Sequence, residues 1–157
     1  MVQSLRELYQ DVILDHSRHP RHSGVLEHPT HKAEGHNPLC GDRVSVTLEL
    51  KDGRVADIKF VGKGCAISQA SASLMTEMLA GRTLEEAQKL MGGFLHLVKG
   101  EDAANLSSDD REHLDVMSGL SEFPMRVKCA TLAWHTFHNA VEEGAICASQ
   151  TQPFRKA

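Results

Sequence analysis

The sequence predicts an α+β fold in a single domain, and three observations carry that expectation. Residues alternate between apolar and polar from Arg43 to Leu50, and Asp52-Gly53 joins this run to a second one, Val55 to Val61, as in an antiparallel hairpin. Apolar stripes at three- and four-residue spacing flank the hairpin on both sides, as amphipathic helices require. The chain has 157 residues, 41% of them hydrophobic, which suffices for one buried core.

Taken in order, Leu5, Leu8, Tyr9, Val12 and Ile13 place one apolar stripe on an N-terminal helix that ends near His16, and Pro20 stops it. From His16 to Gly35 the chain is rich in His, Pro, Gly and Ser and reads as loop, with a short strand near His31 to Gly35. Val44, Val46, Leu48 and Leu50 then face one side of a strand, and Ile58 and Phe60 face the same side of its partner. Asp52-Gly53 supplies the positive backbone dihedrals of a two-residue turn. After Gly62-Lys63-Gly64-Cys65, the residues Ile67, Ala70, Leu74 and Met78 mark a helix closed by Gly81. Thr83-Leu84-Glu85-Glu86 has capping-box form and opens a short helix that is expected to end near Gly92-Gly93. Phe94, Leu95, Leu97 and Val98 suggest a further buried turn of helix, and Leu114 with Met117 another. Val127, Ala130, Thr131, Trp134, His138 and Val141 define the last helix, with Trp134 in the core. The domain is expected to span 1–143, and 144–157 to form a loose tail.

Bulk properties exclude several classes of function. A net charge of -4 argues against a nucleic-acid binder, which needs a cationic surplus to displace counterions. Arg6, Glu7, Asp11 and Asp15 interrupt the N-terminal apolar pattern, so no signal-peptide core and no membrane span is expected. A cytoplasmic location follows as the expectation, and in that reducing setting the four cysteines are poor candidates for disulfides.

Three of those cysteines stand at element junctions. Cys40 precedes the first clear strand, Cys65 sits in the glycine-flanked turn after the hairpin, and Cys129 lies near the start of the last helix. Hairpin geometry brings the beginning of one strand to the end of the other, so Cys40 and Cys65 should meet at one end of the sheet. A helix packed on that sheet could bring Cys129 to the same edge. Asp42 could add an oxygen ligand, completing a tetrahedral zinc site of three sulfurs and one carboxylate. Helix N-termini near Cys65 and Cys129 would favour thiolates, and Lys63, Arg126 and Lys128 could offset the site's negative charge. The competing reading treats the same cysteines as small core residues, because no CxxC pair anchors a local zinc knuckle. Cys147, in the tail, reads as packed or merely exposed.

The strings Asn37-Pro38-Leu39-Cys40-Gly41-Asp42, Gly64-Cys65-Ala66-Ile67-Ser68 and Arg126-Val127-Lys128-Cys129 together resemble the IscU/SufU family of iron-sulfur cluster assembly proteins. The N-terminal run from Leu8-Tyr9 through Asp15-His16 to Pro20-Arg21 is similar too, and the likeness covers about residues 5 to 143. It implies an antiparallel sheet, usually three-stranded, covered by helices and carrying its site at one end. It also implies that Cys40, Cys65 and Cys129 bind zinc or a nascent 2Fe-2S or 4Fe-4S cluster, with Asp42 a further ligand whose lability helps release the cluster. Sulfur would come as a persulfide from a pyridoxal-phosphate cysteine desulfurase, with Cys40 the first candidate acceptor, and the cluster would pass to iron-sulfur acceptor or carrier proteins.

Two features bring the chain closer to the SufU branch. Lys128 stands where the IscU branch carries histidine, and Gly92 to Pro124 resembles the SufU insertion. Glu122-Phe123-Pro124-Met125-Arg126 replaces the chaperone-recognition string of the IscU branch. SufU-like members resemble zinc-dependent sulfur acceptors, whereas IscU-like members are classed as scaffolds. The function implied is therefore an assembly scaffold or carrier, more a carrier than an enzyme, with a zinc-dependent sulfurtransferase as the alternative. The histidines crowding 16–36 raise a separate metal hypothesis, but nothing around them fixes ring orientation, and a solvated loop is the preferred reading. His135 and His138 read as packing or surface residues.

Overall fold

The computed structural model describes residues 5–39, 41–103 and 106–146. Among the described residues, helix α1 (Leu5–Arg18) leads into a loop and then three strands, β1 (His31–Asn37), β2 (Asp42–Lys51) and β3 (Arg54–Lys63). Helices α2 (Ala66–Leu79), α3 (Leu84–Val98) and α4 (Ser108–Leu114), a 3-10 segment (Asp115–Glu122) and the long helix α5 (Pro124–Glu143) follow. The strands form one antiparallel sheet in the order β1-β2-β3, the α+β arrangement that the sequence predicts.

The hairpin forms for the expected reason. Asp52 and Gly53 both have positive φ, 55° and 74°, so the two-residue turn twists in the sense of its strands. Its register pairs Val46 with Phe60 and Leu48 with Ile58, all four buried. Helices α2 and α5 cover that face of the sheet. Trp134 at the centre of α5 is fully buried, stacks on Phe94 of α3 with ring centroids 4.5 Å apart, and donates its indole N–H to Ser71 Oγ.

The loop after α1 is tied down rather than free. Gly24 N–H donates to Phe60 O, Phe60 N–H to His22 O, and Leu26 N–H to Thr47 Oγ1, so the loop runs along the β3 edge and covers Thr47. Thr47 alternates with core-facing Val46 and Leu48, which places this part of the loop over the sheet face opposite the helices. The segment expected to loosen at Gly144 is paired as far as it is described: Lys32 N–H donates to Gly144 O, and Ile146 N–H to Thr30 O. The remainder of the expected tail, with Cys147, lies outside the described residues.

Two local expectations are corrected. Helix α3 does not end near Gly92-Gly93 but continues through both to Val98. A side chain at Gly93 would collide with Leu106, so the glycine permits close packing of the segment that follows rather than stopping the helix. His16 does not belong to a solvated loop: it lies in α1, 7% exposed, with Nδ1 hydrogen-bonded to Ser73 Oγ at 2.8 Å. The same hydroxyl oxygen accepts the Arg21 N–H, so one serine of α2 fixes both the end of α1 and the chain beyond it.

Candidate metal centre

The β2–β3 register decides where the site can form. Arg43 pairs with Lys63, so Asp42, one residue earlier, stands beside Gly64 and Cys65, one and two residues later. The approach is close enough that a side chain at Gly64 would overlap the Asp42 carboxylate, which explains the glycine. Cys65 N–H donates to Asp42 Oδ1 at 3.0 Å, and the Cys65 thiol lies 3.8 Å from Oδ2. Asp42 itself is only 1% exposed.

Cys65 is the N-cap of α2, with extended backbone dihedrals, and its Sγ accepts the N–H of Ser68 at 3.4 Å. Sulfur here takes the role that a serine or aspartate oxygen plays at most helix starts. Ser71, one turn further, donates to Ala130 O and so locks α2 against α5 beside Cys129. As a result, Sγ of Cys65, Sγ of Cys129 and a carboxylate oxygen of Asp42 all lie within 4.8 Å of one another. Cys129 is buried and Cys65 is exposed.

These distances suit a metal. With metal–sulfur bonds of about 2.3 Å and metal–oxygen bonds of about 2.1 Å, tetrahedral ligands stand roughly 3.6 to 3.8 Å apart. The Cys65–Asp42 separation is already 3.8 Å, and the other ligand atoms need to close by no more than about 1 Å. Two soft sulfurs and one hard oxygen suit zinc or iron.

The expected ligand set is thus brought together in part. Asp42, Cys65 and Cys129 converge, while Cys40 lies outside the described residues. Its two neighbours in sequence are both tied to Asn37: Leu39 N–H donates to Asn37 Oδ1, Gly41 N–H to Asn37 O, and Gly41 has a φ of 76°. The expected position at a helix N-terminus is found for Cys65 but not for Cys129. Helix α5 begins at Pro124, so Cys129 lies beyond its first turn. Lys63 follows the register onto the exposed sheet face with Arg43, away from Asp42, and Arg126 and Lys128 are exposed on the first turns of α5. No histidine joins a metal-competent cluster among the described residues. Sequence reasoning missed the Ser68 amide, the Ser71 lock and the contact behind Gly64; only the glycine-lysine-glycine-cysteine string signalled the last of these.

The model of the NifU-like N terminal domain matches residues 8–129. A protein of Bacillus subtilis (strain 168) named zinc-dependent sulfurtransferase SufU is 40% identical over 143 residues, covering 90% of this chain and 95% of that one. A protein of Streptococcus pyogenes serotype M1 named iron-sulfur cluster assembly scaffold protein IscU is 37% identical over 141 residues, covering 90% of this chain and 87% of that one. A crystal structure from Fervidobacterium islandicum AW-1, assigned as an iron-sulfur cluster assembly scaffold protein for the SUF system, superposes with a TM-score of 0.73 at 34% identity, covering 88% of this chain and 99% of that one.

Proposed function

Because the chain belongs to the NifU-like N-terminal domain family, which includes the IscU and SufU proteins, we propose that it is an iron-sulfur cluster assembly scaffold. In this reading it accepts sulfur from a cysteine desulfurase, holds metal or a nascent cluster on Cys40, Asp42, Cys65 and Cys129, and passes it to acceptor proteins. The observation that carries the reading is the meeting of Asp42, Cys65 and Cys129 within 4.8 Å at one end of the sheet.

Each residue has a distinct task. The thiolates of Cys65 and Cys129 bind soft metal or cluster iron from opposite helices. Asp42 offers a harder, more exchangeable ligand, oriented by the Cys65 amide. Cys40 is the proposed first sulfur acceptor. Its thiolate attacks the outer sulfur of the donor's persulfide; a new sulfur–sulfur bond forms, the donor's sulfur–sulfur bond breaks, and the electron pair leaves on the donor thiolate. The scaffold reading makes the protein a carrier rather than an enzyme. Anaerobic reconstitution with iron, cysteine and the desulfurase should produce cluster absorption; its complete absence would count against scaffolding.

A second reading, a zinc-dependent sulfurtransferase, is favoured by Lys128 before Cys129 and by the segment between α3 and α5. That segment is anchored to the turn after α2, where Arg82 makes a bidentate pair with Asp110 at 3.0 and 2.6 Å. Here zinc holds the thiols until the donor engages. Removing zinc should abolish stimulation of the desulfurase, and unchanged stimulation would sink this reading.

A further inference from the structure

The sheet face opposite α2 and α5 is covered unevenly. The loop of residues 22–30 lies against β3 and over Thr47, and among the described residues its hydrogen bonds stop short of the end nearest Asp42 and Cys65. There, register sets three basic side chains directly opposite one another across all three strands: His36 faces Arg43, and Arg43 faces Lys63. All three are exposed. In the next row stand Glu34, Ser45 and Val61, and the two rows line a shallow depression of about 270 Å³.

This row is costly on its own terms. Like charges directly opposite in an antiparallel pair repel. Arg43 and Lys63 form no ion pair or side-chain hydrogen bond among the described residues. Composition does not account for the row either, because the chain as a whole is acidic, with 21 carboxylates against 17 lysines and arginines. The row stands at the same end of the sheet as the metal centre, on the opposite face, since Arg43 follows Asp42 and Lys63 precedes Cys65 by two residues. Val61, 45% exposed, offers an apolar contact beside the charges.

We propose that the His36–Arg43–Lys63 row docks an acidic segment of the sulfur-donating desulfurase, drawing the donor alongside the thiol site. This rests on the sulfur-acceptor reading above. Carboxylates of the donor supply the missing counter-charge, and the attraction acts mainly on the rate of encounter.

The test is the association rate of the full chain with the desulfurase of the same organism, at low and high salt. The Arg43→Glu/Lys63→Glu double variant should associate about tenfold or more slowly at low salt, with the difference shrinking at high salt. Lys32→Glu/Lys51→Glu makes the same charge change on exposed strand positions further from the site, and should stay near the wild-type rate. Circular dichroism and metal content check folding; if the reversal misfolds, Arg43→Gln/Lys63→Gln carries the test with an intermediate slowing. Equal slowing in both double variants, or a wild-type rate for the Arg43/Lys63 variant, would overturn the surface while leaving sulfur acceptance intact. A wild-type chain that neither binds the donor nor takes its sulfur would overturn both. RNA binding lost in the Arg43/Lys63 variant, with donor association unchanged, would assign the row to nucleic acid and overturn the proposal.

Discussion

Asp42 and Cys65 are joined twice: the Cys65 amide donates to one carboxylate oxygen at 3.0 Å, and the Cys65 thiol lies 3.8 Å from the other. A buried carboxylate at the start of β2 therefore reads the position of the α2 N-cap directly. The hairpin register that brings them together is the physical basis of the proposed metal centre.

Gly64→Ala should disturb that junction, because the added methyl would overlap the Asp42 carboxylate. Overpacking of this kind costs about 1–3 kcal/mol. The expected outcome is at least tenfold weaker zinc retention in competition with a chelator, with far-UV circular dichroism preserved. Gly41→Ala, where the new methyl meets open space but φ is 76°, should cost stability through backbone strain alone.

The two glycines of α3 should respond oppositely. Gly92 has open space around it inside a helix, so Gly92→Ala should stabilise by about 0.5–1 kcal/mol. Gly93→Ala must push Leu106 aside and should destabilise by about 1–3 kcal/mol. Urea unfolding midpoints of the two variants check both signs.

Acidification should weaken the fold through His16. Burial first, and then the Arg21 charge, hold its imidazole below the ordinary value of 6.5, against smaller opposing effects of Glu77 and Asp15. The unfolded chain therefore takes up the proton first as pH falls. The stabilising contribution is complete above about pH 6.5 and is lost as pH falls through that value toward the lower folded one. His16→Gln should flatten the slope of stability between about pH 7.5 and 5.5; an unchanged slope would place the linkage elsewhere, with His31 and His135, also lowered mainly by burial, the next to test.

Arg82 ties α4 to α2 by pairing with Asp110 and donating Nε–H to Met78 O. Both partners of the ion pair are partly buried, so Asp110→Ala should cost about 1–2 kcal/mol, between the exposed and buried limits. Arg82→Ala should cost more, because it also strips a partner from the end of α2. Thermal unfolding orders the two.

Much of this fold was legible because the signals are local. Asp52-Gly53 between alternating runs, the Thr83–Glu86 capping box and the Trp134 stripe each need only a few neighbouring residues. β1 is longer than expected, reaching Asn37, because its sequence, His31–Asn37, carries almost no apolar alternation. What holds it is tertiary: α5 lies against it so closely that a side chain at Gly35 would meet Thr136. Glycine misled in α3 for the same reason, since the need for Gly93 arises from Leu106, thirteen positions away. At the site, the thiols and Asp42 were readable as residue types. Their meeting depends on the strand register and on the Ser71–Ala130 bond, which no short string encodes.

The most direct test is the metal and acid-labile sulfide content of anaerobically purified protein, beside Cys65→Ala, Cys129→Ala and Asp42→Ala. A shared site predicts either about one zinc per chain or iron with matching sulfide, lost in both cysteine variants and loosened in the Asp42 variant while the fold persists. Full metal or cluster content retained in both folded cysteine variants would contradict it.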